Sequence, residues 1–361
     1  MENSDNRKIV GVDVYVWLLR QLENLPIAIE GVYRHLPELI KTFTPVAYIP
    51  SKGYRPPDFA FNKLEAYLGK KIEVYSSVAE VENKVSVWLS TGIDFCPPDV
   101  WNKAKIKKAC ILHDAFSANG YYGDESKERF IFGAKHAEFI FPISATAKEQ
   151  YYRACKNLAL KLPVQEFFAY TAPHSYDYSP YNQHHYRSSF SYVGSLYKRK
   201  NVLEAVKLAN LFNRPLCVAG RYGDENLETL ARLIFSHKIL YYGMLSDRGM
   251  SDLYWRTKYF VNLSKDEGFS MTPMEAIVHG VPHIILSDIP AHRENYSMQG
   301  VYFVKDEEDY ARLDLSKLKS VQYDDADKLF NSHRPHYVAR IISTTLKAYH
   351  ELKNESYSRT A

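Results

Sequence analysis

Two glutamates in the stretch KDEGFSMTPMEAIVHGVP, Glu267 and Glu275, have seven residues between them. A carboxylate at Glu267 is a ready acceptor for sugar hydroxyls, or else an exposed loop residue. Upstream, Lys198, Arg199 and Lys200 run together in YVGSLYKRKNVLEA, directly before a helical pattern. Asn201 is expected to cap that helix, with Glu204 as its capping-box partner. A helix N-terminus carries partial positive charge, so three cations there are unfavourable by a few tenths to about 1 kcal/mol each, and a bound phosphate or diphosphate reverses the sign. Three solvated cations explain the charge alone equally well; their position after a strand favours an anion. A fourth candidate is the pair His113 and Asp114, closing the strand-like run KACILHD.

The two glutamates differ in their local explanation. Thr272 can cap a short helix, Pro273 suits its first position, and Glu275 then falls where a T-x-x-E capping box needs it. Glu267 has no such role. It follows the strand-like YFVNLS, and parallel sheets place their ligands beyond the carboxyl ends of their strands.

The elements that must carry these residues alternate between short apolar runs and amphipathic ones, the pattern of βαβ units around a parallel sheet. From residue 190, strands are predicted at FSYVGSL, PLCVAG, KILYYGML, YFVNLS, VPHIIL and GVYFV, with helices at VLEAVKLANLF and NLETLARLIF. The first half offers strands at PVAYIP, KIEVYS, VSVWLS, KACILHD and EFIFPIS, the last leading into the helix ATAKEQYYRAC. Each half is thus expected to be Rossmann-like. The polar, Tyr/His-rich stretch between them reads as a linker. The C-terminal SHRPHYVARIISTTLKAYHEL places Val338, Ile341, Ile342, Thr345 and Tyr349 on one helical face, and the acidic run Asp306 to Asp309 reads as a solvated loop.

Bulk properties exclude several classes. A chain of 361 residues, 46% hydrophobic and 24% charged, suits two domains with a core each. No apolar run approaches the roughly 18 residues of a membrane span, and the polar start of the chain is unlike a secretory signal, so a cytoplasmic protein is expected. A net charge of +4 is too small to indicate nucleic acid. Cys96, Cys110, Cys155 and Cys217 are scattered, which argues for buried thiols over zinc or disulfides. No G-x-G-x-x-G or Walker A sequence occurs, which disfavours dehydrogenases and P-loop ATPases. Trp101 with the four lysines of WNKAKIKKAC offers peripheral contact with an anionic membrane face, although solvated surface is the simpler reading.

Taken together, VGSLYKRKN, EGFSMTPMEAIVHGVP, SDIPAHRE and ILHD resemble the family 4 glycosyltransferases, retaining enzymes of the GT-B fold. The resemblance implies an α/β chain of two Rossmann-like domains facing a central cleft. Residues 1–172 would be the acceptor domain, with a C-terminal helix of about 336–361 packing back on it; 173–189 would be the linker and 190–335 the nucleotide-sugar domain. It implies a hexose, mannose or glucose in type, moved from a nucleotide-diphosphate sugar to a glycan, lipid-linked or other hydroxyl acceptor. Reaction is implied to be by front-face attack, with no cofactor and no metal. Lys200, helped by Arg199, matches the cation that neutralises the departing diphosphate. Glu267 matches the glutamate near the sugar, Glu275 the one that holds the ribose, and His113 with Asp114 the family's pair near the reacting sugar. Gly194, Ser195, Phe269, Ser270, Met271 and Thr272 fall in the loops that hold the nucleotide sugar. Relatives usually show Gly-Leu-Pro where this chain has Ser-Met-Thr, and many have Arg where it has Ser195. Two further readings stand beside this one: a non-catalytic sugar-nucleotide-binding subunit of the same fold, and a nucleic-acid glucosylating enzyme.

Overall fold

The computed structural model describes residues 8–15, 18, 36–160, 165–166, 188–221, 238–333 and 339–346. Backbone contacts divide the chain into two compact units, Met1–Thr171 with Arg334–Ala361, and Ala172–His333.

The first unit is built on a seven-stranded sheet of β1 (Ile9–Asp13), β2 (Thr44–Tyr48), β3 (Glu73–Tyr75), β4 (Val85–Ser90), β5 (Lys107–Leu112), β6 (Phe139–Pro142) and β7 (Gln165–Glu166). Their order is β3-β2-β1-β4-β5-β6-β7, and every pairing is parallel. Neither β1 nor β7 stood out in the sequence: β1 runs straight on into the apolar VYVWLL, and β7 is two residues long. Parallel strands need crossovers. These include helices α1 (Leu36–Thr42), α2 (Asp58–Leu68), α3 (Val78–Lys84), α4 (Pro98–Lys103), α5 (Asp124–His136) and α6 (Ala145–Asn157). A capping box between Ser77 and Glu80 starts α3, and Ser144 caps α6 through the Ala147 amide.

The second unit carries a six-stranded sheet: β8 (Ser189–Val193), β9 (Leu216–Ala219), β10 (Ile239–Tyr241), β11 (Thr257–Asn262), β12 (His283–Ser287) and β13 (Val301–Val304). The order β10-β9-β8-β11-β12-β13, again wholly parallel, is that of a doubly wound nucleotide-binding sheet. Its helices include α7 (Val202–Leu211), α8 (Asp247–Arg256), α9 (Met271–Val278), α10 (Pro290–Tyr296), α11 (Glu307–Arg312) and α12 (Tyr323–Ser332). Its core joins Phe190, Tyr192, Val218, Val261 and Ile285 from the strands with Val202, Ala205 and Leu208 from α7. Gly220 permits a close approach within this sheet: a Cβ there would lie 1.9 Å from the carbonyl oxygen of Gly194.

Several sequence expectations change. Trp101 is not a surface residue; α4 turns it into the first unit's core, where it is 1% exposed, so it cannot serve as a membrane contact. Among its lysines, Lys103 pairs with Asp99 and Lys107 with Glu138. The run Asp306 to Asp309 is no loop: Asp306 caps α11 by accepting from the amides of Glu308 and Asp309, where acidic groups complement the helix dipole. In the C-terminal segment, residues 339–346 are helical and bury Ala339, Ile342, Ser343 and Leu346, a face turned from the predicted one; Ile341 and Thr345 are only partly covered. Val338 and Tyr349 lie outside the described residues, as do the helix expected at NLETLARLIF and nearly all of the 173–189 linker. All four cysteines are buried and free. No described helix is long and apolar enough to cross a membrane.

Candidate active site

In an open parallel sheet, the crevice for a ligand opens where strand order reverses. In the second unit that point lies between β8 and β11, and the predicted site residues follow these two strands. After β8 come Gly194 and Ser195, then a single 3-10 turn of Lys198–Lys200 that leads into α7. After β11 come Lys265, Asp266 and Glu267. The two loops are fastened to each other. The Lys265 amide donates to the Arg199 carbonyl at 2.9 Å, and Asn201 Nδ2 donates to the Leu263 carbonyl at 3.1 Å.

Asn201 therefore does not cap α7 as expected. It sits at the cap position in the left-handed region (φ 55°) with its side chain spent on the neighbouring loop, and Glu204 turns to Lys207 and Tyr310. Two of the three cations are also not splayed into water. Lys200 Nζ donates to Glu267 Oε1 at 2.6 Å, and Arg199 donates to Glu267 Oε2 at 3.0 Å and to the Asp266 carbonyl at 2.6 Å. Only Lys198 is exposed.

Glu267 is 4% exposed. Burial alone would raise its carboxyl, but Lys200 and Arg199 more than reverse that and hold it at about 2. It is ionised at any physiological pH. Two cations against one carboxylate leave one net positive charge, and Lys198 adds to it. The arrangement attracts an anion while presenting a fixed carboxylate to hydroxyls.

Glu275 is buried at 3% exposure, but not in a capping box. Helix α9 starts one residue before Thr272, with Ser270 at the cap position, so Glu275 lies on its second turn and accepts from the Tyr254 hydroxyl at 3.0 Å. Ser270 is left-handed (φ 72°, ψ 81°) and buried. Its Oγ accepts from Asn262 Nδ2 at 3.1 Å and lies 3.1 Å from His292 Nε2, and its carbonyl accepts from the Tyr296 hydroxyl. Phe269 is buried, edge-on to Tyr296 and His333; Met271 and Thr272 remain partly exposed.

The structure thus brings together Gly194, Ser195, Arg199, Lys200, Glu267, Phe269, Ser270, Met271, Thr272 and Glu275 in one unit, around one sheet end. His113 and Asp114 belong to the other unit, just past β5. There His113 Nε2 donates to the Thr91 carbonyl at 2.6 Å, and burial pushes the ring down to about 4. Asp114 accepts from the Phe116 amide at 3.0 Å.

Asn262, Ser264, Ser287, His292 and Tyr296, which support the Ser270 turn, carried no role in the sequence. Asn262, a polar residue closing the apolar run Tyr259–Val261, was the available signal. Asp325-Ala326-Asp327 forms a D-x-D triplet, a spacing that can serve a metal. It lies at the start of α12, where residues two apart point to different sides, and Asp327 accepts from Asn331 at 2.7 Å. Among the described residues no three His, Cys, Asp or Glu side chains cluster as a metal site.

Residues 184–314 match the family described as Glycosyl transferases group 1, and this segment contains the whole β8–β13 sheet. The O-antigen chain mannosyltransferase RfbU of Salmonella typhimurium is 24% identical over 238 residues, 63% of this chain and 64% of that protein, so the match spans just under two thirds of the relative. Among solved structures, Anabaena HepE in complex with UDP and glucose superposes with a TM-score of 0.67 at 12% identity, covering 94% of this chain and all of the other. Sucrose-phosphate synthase from Thermosynechococcus elongatus gives 0.64 at 11% identity, over 97% of this chain and all of the other. These likenesses show the fold: α/β, with two parallel-sheet domains of the GT-B type.

Proposed function

We propose that this chain is a retaining glycosyltransferase of family 4 type that takes its sugar from a nucleotide-diphosphate donor without a metal. The observation that carries the reading is the Lys200–Glu267–Arg199 cluster at the switch point of the domain that matches Glycosyl transferases group 1. In this reading Arg199 and Lys200 meet the diphosphate, Glu267 accepts from the sugar hydroxyls, and Glu275 accepts from the ribose. The loops at Gly194–Ser195 and Phe269–Thr272 shape the nucleotide-sugar site.

The first unit is assigned the acceptor, with His113 and Asp114 near the reacting sugar. The anomeric carbon–oxygen bond to the diphosphate breaks as a bond to the acceptor oxygen forms on the same face, and the acceptor proton passes to the departing phosphate. Fixed cations prepare the site for charge that develops on the leaving group. The likeness to RfbU, an O-antigen chain mannosyltransferase, favours a mannosyl donor and a growing glycan as acceptor.

The test is a binding and hydrolysis panel of UDP, GDP and ADP sugars in EDTA, repeated with Lys200→Ala and Glu275→Ala. One nucleotide is expected to bind, with each substitution costing ten- to a hundredfold for roughly 1.5–3 kcal/mol of charge-assisted hydrogen bonding. A folded chain that binds none of them removes the transferase reading. Turnover abolished by EDTA removes the metal-independent part alone, and binding without hydrolysis or transfer to any glycan indicates a non-catalytic subunit.

A further inference from the structure

Ser270 stands in a backbone conformation that L-residues other than Asn and Asp seldom adopt. What keeps it there is a directional chain of hydrogen bonds. Asn262 Oδ1 accepts from the Ser264 amide at 3.1 Å and from Ser264 Oγ at 2.7 Å, and because an amide N–H can only donate, the orientation of the Asn262 side chain is set. Its Nδ2 therefore points to Ser270 Oγ at 3.1 Å and Thr272 Oγ1 at 3.3 Å.

At the other end, His292 Nδ1 lies 2.9 Å from the Ser287 carbonyl, which can only accept, so the ring proton is on Nδ1. Ser287 Oγ, 3.2 Å from the same nitrogen, gives its own proton to the Ser264 carbonyl at 2.5 Å. His292 Nε2 is thus left as an acceptor, and the single proton of Ser270 Oγ goes to it across 3.1 Å. His292 is fully buried; burial drives the ring down to about 4 against the opposing influence of Glu267, so it stays unprotonated at neutral pH.

We propose that His292 is a positioning residue for the nucleotide-sugar loop: by accepting the Ser270 hydroxyl proton it latches the left-handed turn from which α9 starts. The proposal rests on the reading of that loop as the nucleotide-sugar site. The latch links the ends of β11 and β12 to the first residues of α9. The Met271 and Thr272 amides and the Glu275 carboxylate therefore inherit their placement from a histidine about twenty residues away. A histidine in its other tautomer, or a cation there, would face the serine with a second hydrogen-bond donor and open the turn.

Two substitutions divide the ring's functions. His292→Gln carries an amide oxygen as far as Nε2 and can still accept from Ser270. His292→Asn keeps a group near Nδ1 that can bond Ser287 but falls short of Ser270. Amide hydrogen exchange over 268–275 in the free full-length chain, and affinity for UDP, GDP and ADP, are measured for both. The asparagine variant is expected to exchange faster and to bind the preferred nucleotide about tenfold more weakly, as the loss of one net hydrogen bond implies, while the glutamine variant stays within about threefold of wild type. An asparagine variant equal to or better than glutamine means that His292 only tethers α10 to β12, and overturns the latch. Should neither variant fold, Ser270→Ala decides the point, since wild-type exchange in a chain that keeps the Cβ in the left-handed turn but lacks that hydroxyl also overturns it. A wild-type chain that binds no nucleotide removes the nucleotide-sugar site and the positioning role with it, whereas a reversed order in a chain that does bind overturns the latch alone.

Discussion

Glu267, beyond β11 of the second unit, is held down at about 2 although buried, whereas Asp13, at the end of β1 of the first unit, is pushed up to about 6 by burial. The two carboxylates are similarly covered, at 4% and 7% exposure. Their partners differ. Glu267 has Lys200 and Arg199, while Asp13, among the described residues, accepts from the Tyr15 amide at 2.9 Å and from Trp88 Nε1 at 3.2 Å. Asp94, in the turn after β4, repeats the pattern of Asp13: burial raises it to about 6 despite its bond to Ser117. At one sheet end two cations keep a buried carboxylate charged; at the other, burial dominates and raises the carboxyls. Equal burial therefore says little about ionisation until the nearest cation is known.

The largest expected effect comes from neutralising the charged end. Glu267→Gln leaves the partly buried Arg199 and Lys200 without their carboxylate, and should lower stability by about 3 kcal/mol in urea unfolding and abolish transfer. A loss under about 1 kcal/mol would mean that the cluster is solvated and the contrast with Asp13 empty.

Next is the sign of two pH dependences. The Glu267 carboxyl lies below its unfolded value, so its contribution is complete above about 4.5 and lost as pH falls toward 2; the gap between wild type and Glu267→Gln should shrink over that range. Asp13 lies above its unfolded value of 3.8, so ionising it costs stability progressively from about pH 4 to 6. Asp13→Asn should therefore gain on wild type as pH rises through that range, by up to about 3 kcal/mol. Unfolding of both variants from pH 2 to 8 checks this, and dependences of the same sign would remove the distinction between the two sheet ends.

The smallest effect is expected at Lys198, the exposed cation of the trio. Lys198→Ala should change stability by less than about 0.5 kcal/mol and weaken nucleotide binding only a few-fold, with the deficit fading in high salt as exposed charges are screened. A deficit that persists in about 1 M salt would place Lys198 inside the site with Arg199 and Lys200.

Most strands of both sheets were legible because a buried parallel strand is a short apolar run between breakers, a pattern confined to neighbouring residues. The exceptions are instructive. β1, IVGVD, is as long as several strands that were found, but it runs on into the apolar VYVWLL with no Gly or Pro to mark its end. Helix starts were less legible than helix bodies. Asn201 and Thr272 carry the residue types of caps, yet the cap of α7 has its side chain drawn to Leu263, and α9 starts from a serine in a left-handed turn. Propensity names the residue types able to cap; competing partners from elsewhere decide whether they do. Trp101 failed for a related reason: one turn of helix, too short to show periodicity, decides which way the ring faces.

The amino-acid sequence by itself determined the α/β alternation, the parallel sheets and the presence of two carboxylates and three cations at the ends of strands. These depend on the spacing of residues close in the chain. Only the tertiary structure decided which charges meet. Glu267 pairs with residues 67 and 68 positions away, and Ser270 is held by a histidine 22 positions on. Such contacts leave no periodic trace, because they are made where separate βα loops converge at one sheet end.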